Sequence, residues 1–258
     1  MPDFQFPPSG ELTHEWYKAM VLQLQPDEGD DSDAEQQIRM ELERQFAAEL
    51  ETTLRAQMND LIPPTASDQQ VQAAPNQVNA TSEPVRTTLR RYLQQGAELG
   101  ESIAFDQLGK IGISFDFTLV HTAAAQWASR YSYDLIRGMN QTTQAQMQIA
   151  VDEWFKDQTS LGALRKQLEP TFGAKRAKLI AQTETTRAAY EGSKEGYQES
   201  GVISEVEWVC VNDEKVCPIC GEDGLNGKRA PLGGEFPDGT DGPPAHPGCR
   251  CFVRPVVD

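Results

Sequence analysis

Cys217-Pro218-Ile219-Cys220-Gly221 is answered, with twenty-five residues intervening after Cys220, by His246-Pro247-Gly248-Cys249-Arg250-Cys251. Two donors three apart in sequence close a tight knuckle whose thiolates point at one ion, and a second pair from far along the chain completes the tetrahedral set that Zn²⁺ takes. Pro218 stiffens the first turn and Gly221 lets the backbone swing away. Cys217, Cys220, His246 and Cys249 are the expected ligands, with Cys251 as the alternative fourth, because five donors compete for four places. Four protein ligands close a zinc site and make it structural; catalysis needs an open position. Disulfides fit less well, since the cysteine count is odd and the first residues have neither a basic start nor an apolar core that would suggest secretion.

Between the knuckles, residues 221–245 are glycine or proline at nearly half their positions. Such a stretch is expected to form no core, so the metal must fix the ends of a loop that cannot organise itself. Just upstream, Val206, Trp208 and Cys210 alternate with Glu207 and Val209. This predicts a strand running towards a turn at Asn212-Asp213, with Cys210 facing the core and not the metal. Residues 252–257 read as a second strand. The tail, 201–258, is therefore expected to be a small zinc-stapled β unit.

Outward from the tail the chain is helical. Residues 174–197 read as a long helix in which Ala177, Ile180, Ala181 and Ala188 lie along one apolar stripe with Glu184 in its middle. A carboxylate there must be paired or protonated, and Arg176 or Arg187 is the expected structural partner; a partner-binding or catalytic role is the alternative. Ser160 caps a helix over 161–168 that Pro170 ends. Residues 123–139 and 142–156 read as two helices separated by a turn at Gly138-Met139-Asn140, with Thr142 or Thr143 as cap. Residues 111–120 are ambiguous between a strand and a buried loop. Leu89, Tyr92 and Leu93 share a helical face that runs to Gly96 and Gly100. His14 and His121 are read as structural or solvated.

Residues 63–84 are rich in Pro, Gln, Asn, Ala and Ser and read as a flexible linker. Before it, residues 34–62 predict a long helix, with Ile38, Leu42, Phe46, Leu50, Leu54, Met58 and Leu61 as a narrow stripe suited to another helix of this chain or of a partner. Ser32 and Glu35 form a capping box after an acidic run. Leu12, Trp16, Met20 and Leu24 suggest a first short helix. The organisation expected is an acidic helical arm (1–62), a linker (63–84), a helical body (85–200) and the zinc-knuckle tail (201–258), mainly α with a small C-terminal β unit.

The chain of 258 residues carries a formal net charge of -16. Sequence-independent binding of a phosphate backbone needs a basic surface, so direct nucleic-acid binding is not expected, and acidity points to solubility or a basic protein partner. No apolar run approaches the roughly 18 residues of a membrane span.

Several short runs together resemble the phage head morphogenesis proteins, the Mu F-like or minor head proteins. They are Gly138-Met-Asn-Gln-Thr-Thr143, Ser160-Leu-Gly-Ala-Leu164, Ala177-Lys-Leu-Ile-Ala-Gln-Thr-Glu184, Gly201-Val202, Trp208, Asp213, Cys217-Pro-Ile-Cys220 and Pro243-Pro-Ala-His-Pro-Gly-Cys-Arg-Cys251. The resemblance covers about residues 85–258 and leaves the arm unexplained. It implies a low-copy, non-enzymatic virion protein, made in the bacterial host cytoplasm and incorporated in the head with portal, capsid or scaffold proteins, sometimes aiding DNA ejection. Family members usually carry arginine before the Thr-Glu pair, where this chain has Gln182. The competing reading is a zinc-dependent hydrolase or nuclease with Glu184 as general base. A zinc ribbon that binds DNA lacks a basic face, since Lys228, Arg229, Arg250 and Arg254 are outweighed by acids.

Overall fold

A computed structural model describes residues 6–7, 11–24, 32–211 and 216–257. Its helices are α1 (His14–Leu24), α2 (Ser32–Leu61), α3 (Asp68–Ala73), α4 (Glu83–Lys110), α5 (Phe117–Asp157), α6 (Leu161–Gln167), the single turn α7 (Glu169–Phe172) and α8 (Ala174–Ser200). Three strands follow: β1 (Glu205–Val209), β2 (Arg229–Pro231) and β3 (Phe252–Val256). The acidic run before Ser32, the Ser32 side chain and the Asn212-Asp213 turn lie outside the described residues.

Helix α2 follows its sequence pattern. Ile38, Leu42, Phe46, Leu50, Leu54, Met58 and Leu61 are all buried, because spacings of three and four residues keep one stripe on one side of a 3.6-residue helix. Helix α1 differs from expectation. Leu12, Tyr17 and Val21 are buried, while Trp16 and Met20 are only half-buried, so the buried face is turned by about one residue. Helix α5 also differs, running unbroken through Gly138 to Asn140, where a turn was expected. The hydroxyls of Thr142 and Thr143 donate to the Gly138 and Met139 carbonyls four residues back. They satisfy groups inside the helix and cap nothing. Residues 111–116 form a loop between α4 and α5, which resolves the strand-or-loop ambiguity.

The chain divides into two compact units. One comprises Arg44–Arg90 and Ser129–Ala181. Here the expected linker is folded: α3 opens with a capping box at Ser67 and Gln70, a 3-10 turn follows over Ala74–Gln77, and Val71, Ala74 and Val78 are buried. Composition misled because these side chains with the buried Pro75 suffice when polar neighbours hold the backbone. Gln57 donates to the Val78 carbonyl at 3.2 Å, and the Asn140 amide donates to Asn79 Oδ1 and Ser82 Oγ, each at 2.9 Å. Arg55 makes a two-pronged contact with Glu169 at 3.0 and 2.7 Å. Ser160 caps α6 as expected, accepting from Ala163 N at 3.1 Å.

The other unit comprises Met1–Glu43, Arg91–Ala128 and Gln182–Asp258. Within it α4 and α8 approach closely through small residues. A β-carbon on Gly192 would lie 1.9 Å from the Ala97 carbonyl oxygen, and one on Gly100 2.0 Å from that of Ala189. Glycine here permits backbone contact, and α4 does not end at Gly96 or Gly100. The sheet has the order β2-β1-β3, both pairs antiparallel. Trp208 is fully buried at its centre, edge-on to Phe236 at 5.0 Å. Leu225, Ala230 and Phe236 join this core, so the glycine-rich loop contributes more apolar side chains than its composition suggested, and Arg229–Pro231 adds a strand that the sequence did not signal.

Candidate metal centre

Both knuckles form as their sequences require. Cys220 N and Gly221 N donate to the Cys217 carbonyl at 3.1 and 2.9 Å, and Cys249 N donates to the His246 carbonyl at 3.1 Å. His246 Nδ1 lies 3.0 Å from the Pro247 carbonyl oxygen. In the tautomer that donates there, Nε2 is the atom left to ligate. That atom lies 3.0 Å from Cys217 Sγ and 3.3 Å from Cys220 Sγ, and Cys220 Sγ lies 3.8 Å from Cys249 Sγ. Bonds of about 2.3 Å to sulfur and about 2.1 Å to nitrogen give tetrahedral edges of about 3.8 and about 3.6 Å. The donors therefore stand at close to ligating separations.

The ligand atoms form two triads that share Cys220: Cys217, Cys220 and His246, and Cys220, Cys249 and Cys251, each within 4.8 Å. Cys220 thus has Cys217 and His246 for neighbours in one triad and Cys249 and Cys251 in the other. Burial pushes the Cys220 thiol pKa up, and the Cys251 hydrogen bond followed by burial does the same for Cys249. Thiolates with an imidazole are the donor chemistry that a soft divalent ion takes, so the set fits one.

Cys210 packs against the core as expected, and also meets the thiol cluster. It is half-buried, its Sγ contacts the Cys220 carbonyl, and it lies 3.4 Å from Cys251 Sγ. It borders the thiol cluster as well as the core, because β1 ends beside the start of β3.

Helix α8 holds the second knuckle from behind. Gln182 Nε2 donates to the Gly248 carbonyl at 2.8 Å, Gly248 N donates to Thr183 Oγ1 at 2.9 Å, and Thr186 Oγ1 donates to the Cys249 carbonyl at 2.8 Å. The Tyr190 hydroxyl donates to the Asp241 carbonyl. At about 100° per residue these four share one helix face, and Glu184 lies about 140° from its centre. Glu184 is buried and sits 3.4 Å from Arg187 Nε, one of the two arginines expected. The Gln-Thr-Glu run was legible as a motif, but its task was not. A polar face on a helix says nothing of what will cover it.

Arg39 of α2 is buried beside the same tail, with its guanidinium 3.5 Å from the Arg250 carbonyl and 5.4 Å from the Phe252 ring centre. A second titratable cluster joins α4 and α5. His121 lies 3.6 Å from Glu98 and 3.4 Å from Glu101, two carboxylates with no exposed surface. Burial raises the Glu98 pKa to about 7 although Leu12 N donates to it at 2.6 Å. Glu101 is likewise raised by burial, and its hydrogen bond raises His121. The histidine read as structural or solvated is structural, lying between two buried carboxyls. Among the described residues no helix is long and apolar enough to cross a membrane.

Residues 135–254 match the model of the family described as Phage Mu protein F like protein. The matched span runs from within α5 through α8 and the whole thiol cluster, and its family suggests a phage head morphogenesis protein. No curated protein and no solved structure matches the chain.

Proposed function

We propose that this chain is a minor head protein of a tailed bacteriophage, a low-copy virion component whose C-terminal unit is held rigid by a structural zinc ion on Cys217, Cys220, His246 and Cys249. The observation that carries it is the bracket of Gln182, Thr183 and Thr186 on the second knuckle, inside the family-matched span. Side chains that fix ligand backbones serve orientation, and a full set of protein donors leaves no place for a substrate or an activated water. Glu184 sits on the wrong face of α8 for a general base and is engaged with Arg187, which weighs against a hydrolase.

The partners in this reading are portal, capsid or scaffold proteins, met through protein surfaces and not through DNA; a net charge of -16 disfavours a polyanion. The buried stripe of α2 is not the docking face, because Leu50 and Leu54 are core residues. Elemental analysis of the purified chain tests the site: one zinc per chain is expected, lost in Cys217→Ser. Co-expression with the portal, capsid and scaffold proteins of a phage encoding it tests the rest. The chain should co-sediment with assembled heads, and its absence from them would sink the proposal.

A further inference from the structure

Four ligands on one ion leave two of the five thiols without a task. Cys210 follows β1 and Cys251 precedes β3, and the β1–β3 register runs from Glu205↔Val256 to Val209↔Phe252. One step further along that register, Cys210 stands opposite Cys251. Opposed residues of antiparallel strands have Cα separations of about 4.5–5.5 Å. A disulfide spans about 4.4–6.8 Å, a range that contains this separation. The sulfurs already lie 3.4 Å apart. Cys210 N is held by Asn226 Oδ1 at 3.0 Å, which anchors one side of the pair. Cys251 is 4% exposed and Cys210 is half-buried, so a reagent from solvent meets Cys210 first.

We infer that Cys210 and Cys251 are a redox clasp, a dithiol in reducing surroundings and a cross-strand disulfide in oxidising ones. The inference rests on the proposed ligand set, since it needs Cys251 off the ion. The oxidant is a low-molecular-weight disulfide. The Cys210 sulfur attacks one of its sulfurs, forming a mixed disulfide and expelling one thiolate. The Cys251 sulfur then attacks Cys210 Sγ, forming the protein disulfide and expelling the second thiolate. The two protein thiol protons end on the two released thiols, and two electrons pass from protein to reagent. Both knuckles lie between Cys210 and Cys251 in sequence, so the link closes the loop that contains every ligand. A virion protein would be assembled as the dithiol in the host cytoplasm and clasped after release.

The full-length metal-loaded chain, freed of reductant, is incubated with oxidised glutathione and followed by intact mass, peptide mapping and native metal count. The expected result is loss of two hydrogens, a Cys210–Cys251 peptide and an unchanged metal count. Cys210→Ser and Cys251→Ser should each keep the ion and form no such link. Metal loss from either variant, a glutathione adduct that persists on Cys210, or a link through other cysteines overturns the inference. Metal-bound wild type without the link sinks the clasp alone. Wild type that never binds metal removes the ligand set and the clasp's premise with it.

Discussion

Helix α2 buries Ile38, Leu42, Phe46, Leu50, Leu54, Met58 and Leu61, whereas the twenty-five residues from Gly221 to Ala245 bury Leu225, Ala230 and Phe236 with Gly242 and the Pro243-Pro244 pair. The helix satisfies its backbone internally and needs only a partner face. The loop has few apolar side chains and little regular structure, and it is held from outside, by the Tyr190 hydroxyl of α8 on the Asp241 carbonyl, by Trp208, and by the thiol and imidazole cluster at its ends. A periodic segment carries its own reason to fold. An aperiodic one borrows it from distant residues.

The largest test removes the metal. Chelation, or Cys220→Ser, should abolish binding and forfeit on the order of 10 kcal/mol of coordination free energy. Proteolysis should then cut within residues 221–245 while helical circular dichroism persists. A tail that stays resistant without metal would erase the contrast. Next, Leu50→Ala should lower unfolding free energy by about 2–5 kcal/mol, measured in urea, with metal content unchanged; a loss of metal would mean that helix stripe and tail are not independent. Thr186→Val should cost about 1 kcal/mol and speed zinc transfer to a competing chelator, leaving far-ultraviolet dichroism unaltered.

The smallest effect is a pH drift of opposite sign in the two places. The Glu98 carboxyl, raised from 4.5 to about 7 by burial, binds its proton more tightly folded than unfolded. Its contribution is complete below the unfolded value and is lost as pH climbs through that window. Raised Glu101 and His121 act in the same direction, His121 fading as pH passes upward through its folded pKa. Acid therefore favours the Glu98–His121–Glu101 cluster, and it displaces zinc from thiolates and imidazole. Thermal melts with parallel metal counts across this range should diverge, and Glu98→Gln should flatten the melts alone.

The α2 stripe, the Ser160 cap, the start of α8, strands β1 and β3 and the donor spacing could all be read from the chain. Each is a local pattern whose cause lies within a few residues. What failed was judged by composition or by single residues: the linker that folds as α3 and a 3-10 turn, and the supposed break at Gly138. Gly96 and Gly100 looked like ends and proved to be contacts, since a missing side chain reads the same in a turn and in a close helix crossing.

By itself the sequence determined that helices dominate and that a thiol-rich segment follows them, because periodicity and donor spacing are written in neighbouring residues. Only the tertiary structure decided that Gln182, Thr183 and Thr186 grip the second knuckle, that Cys210 meets Cys251, and that His121 lies between two buried acids. Those pairings join residues 20 to 66 positions apart, and separations of that size are set by how elements pack, not by any local pattern.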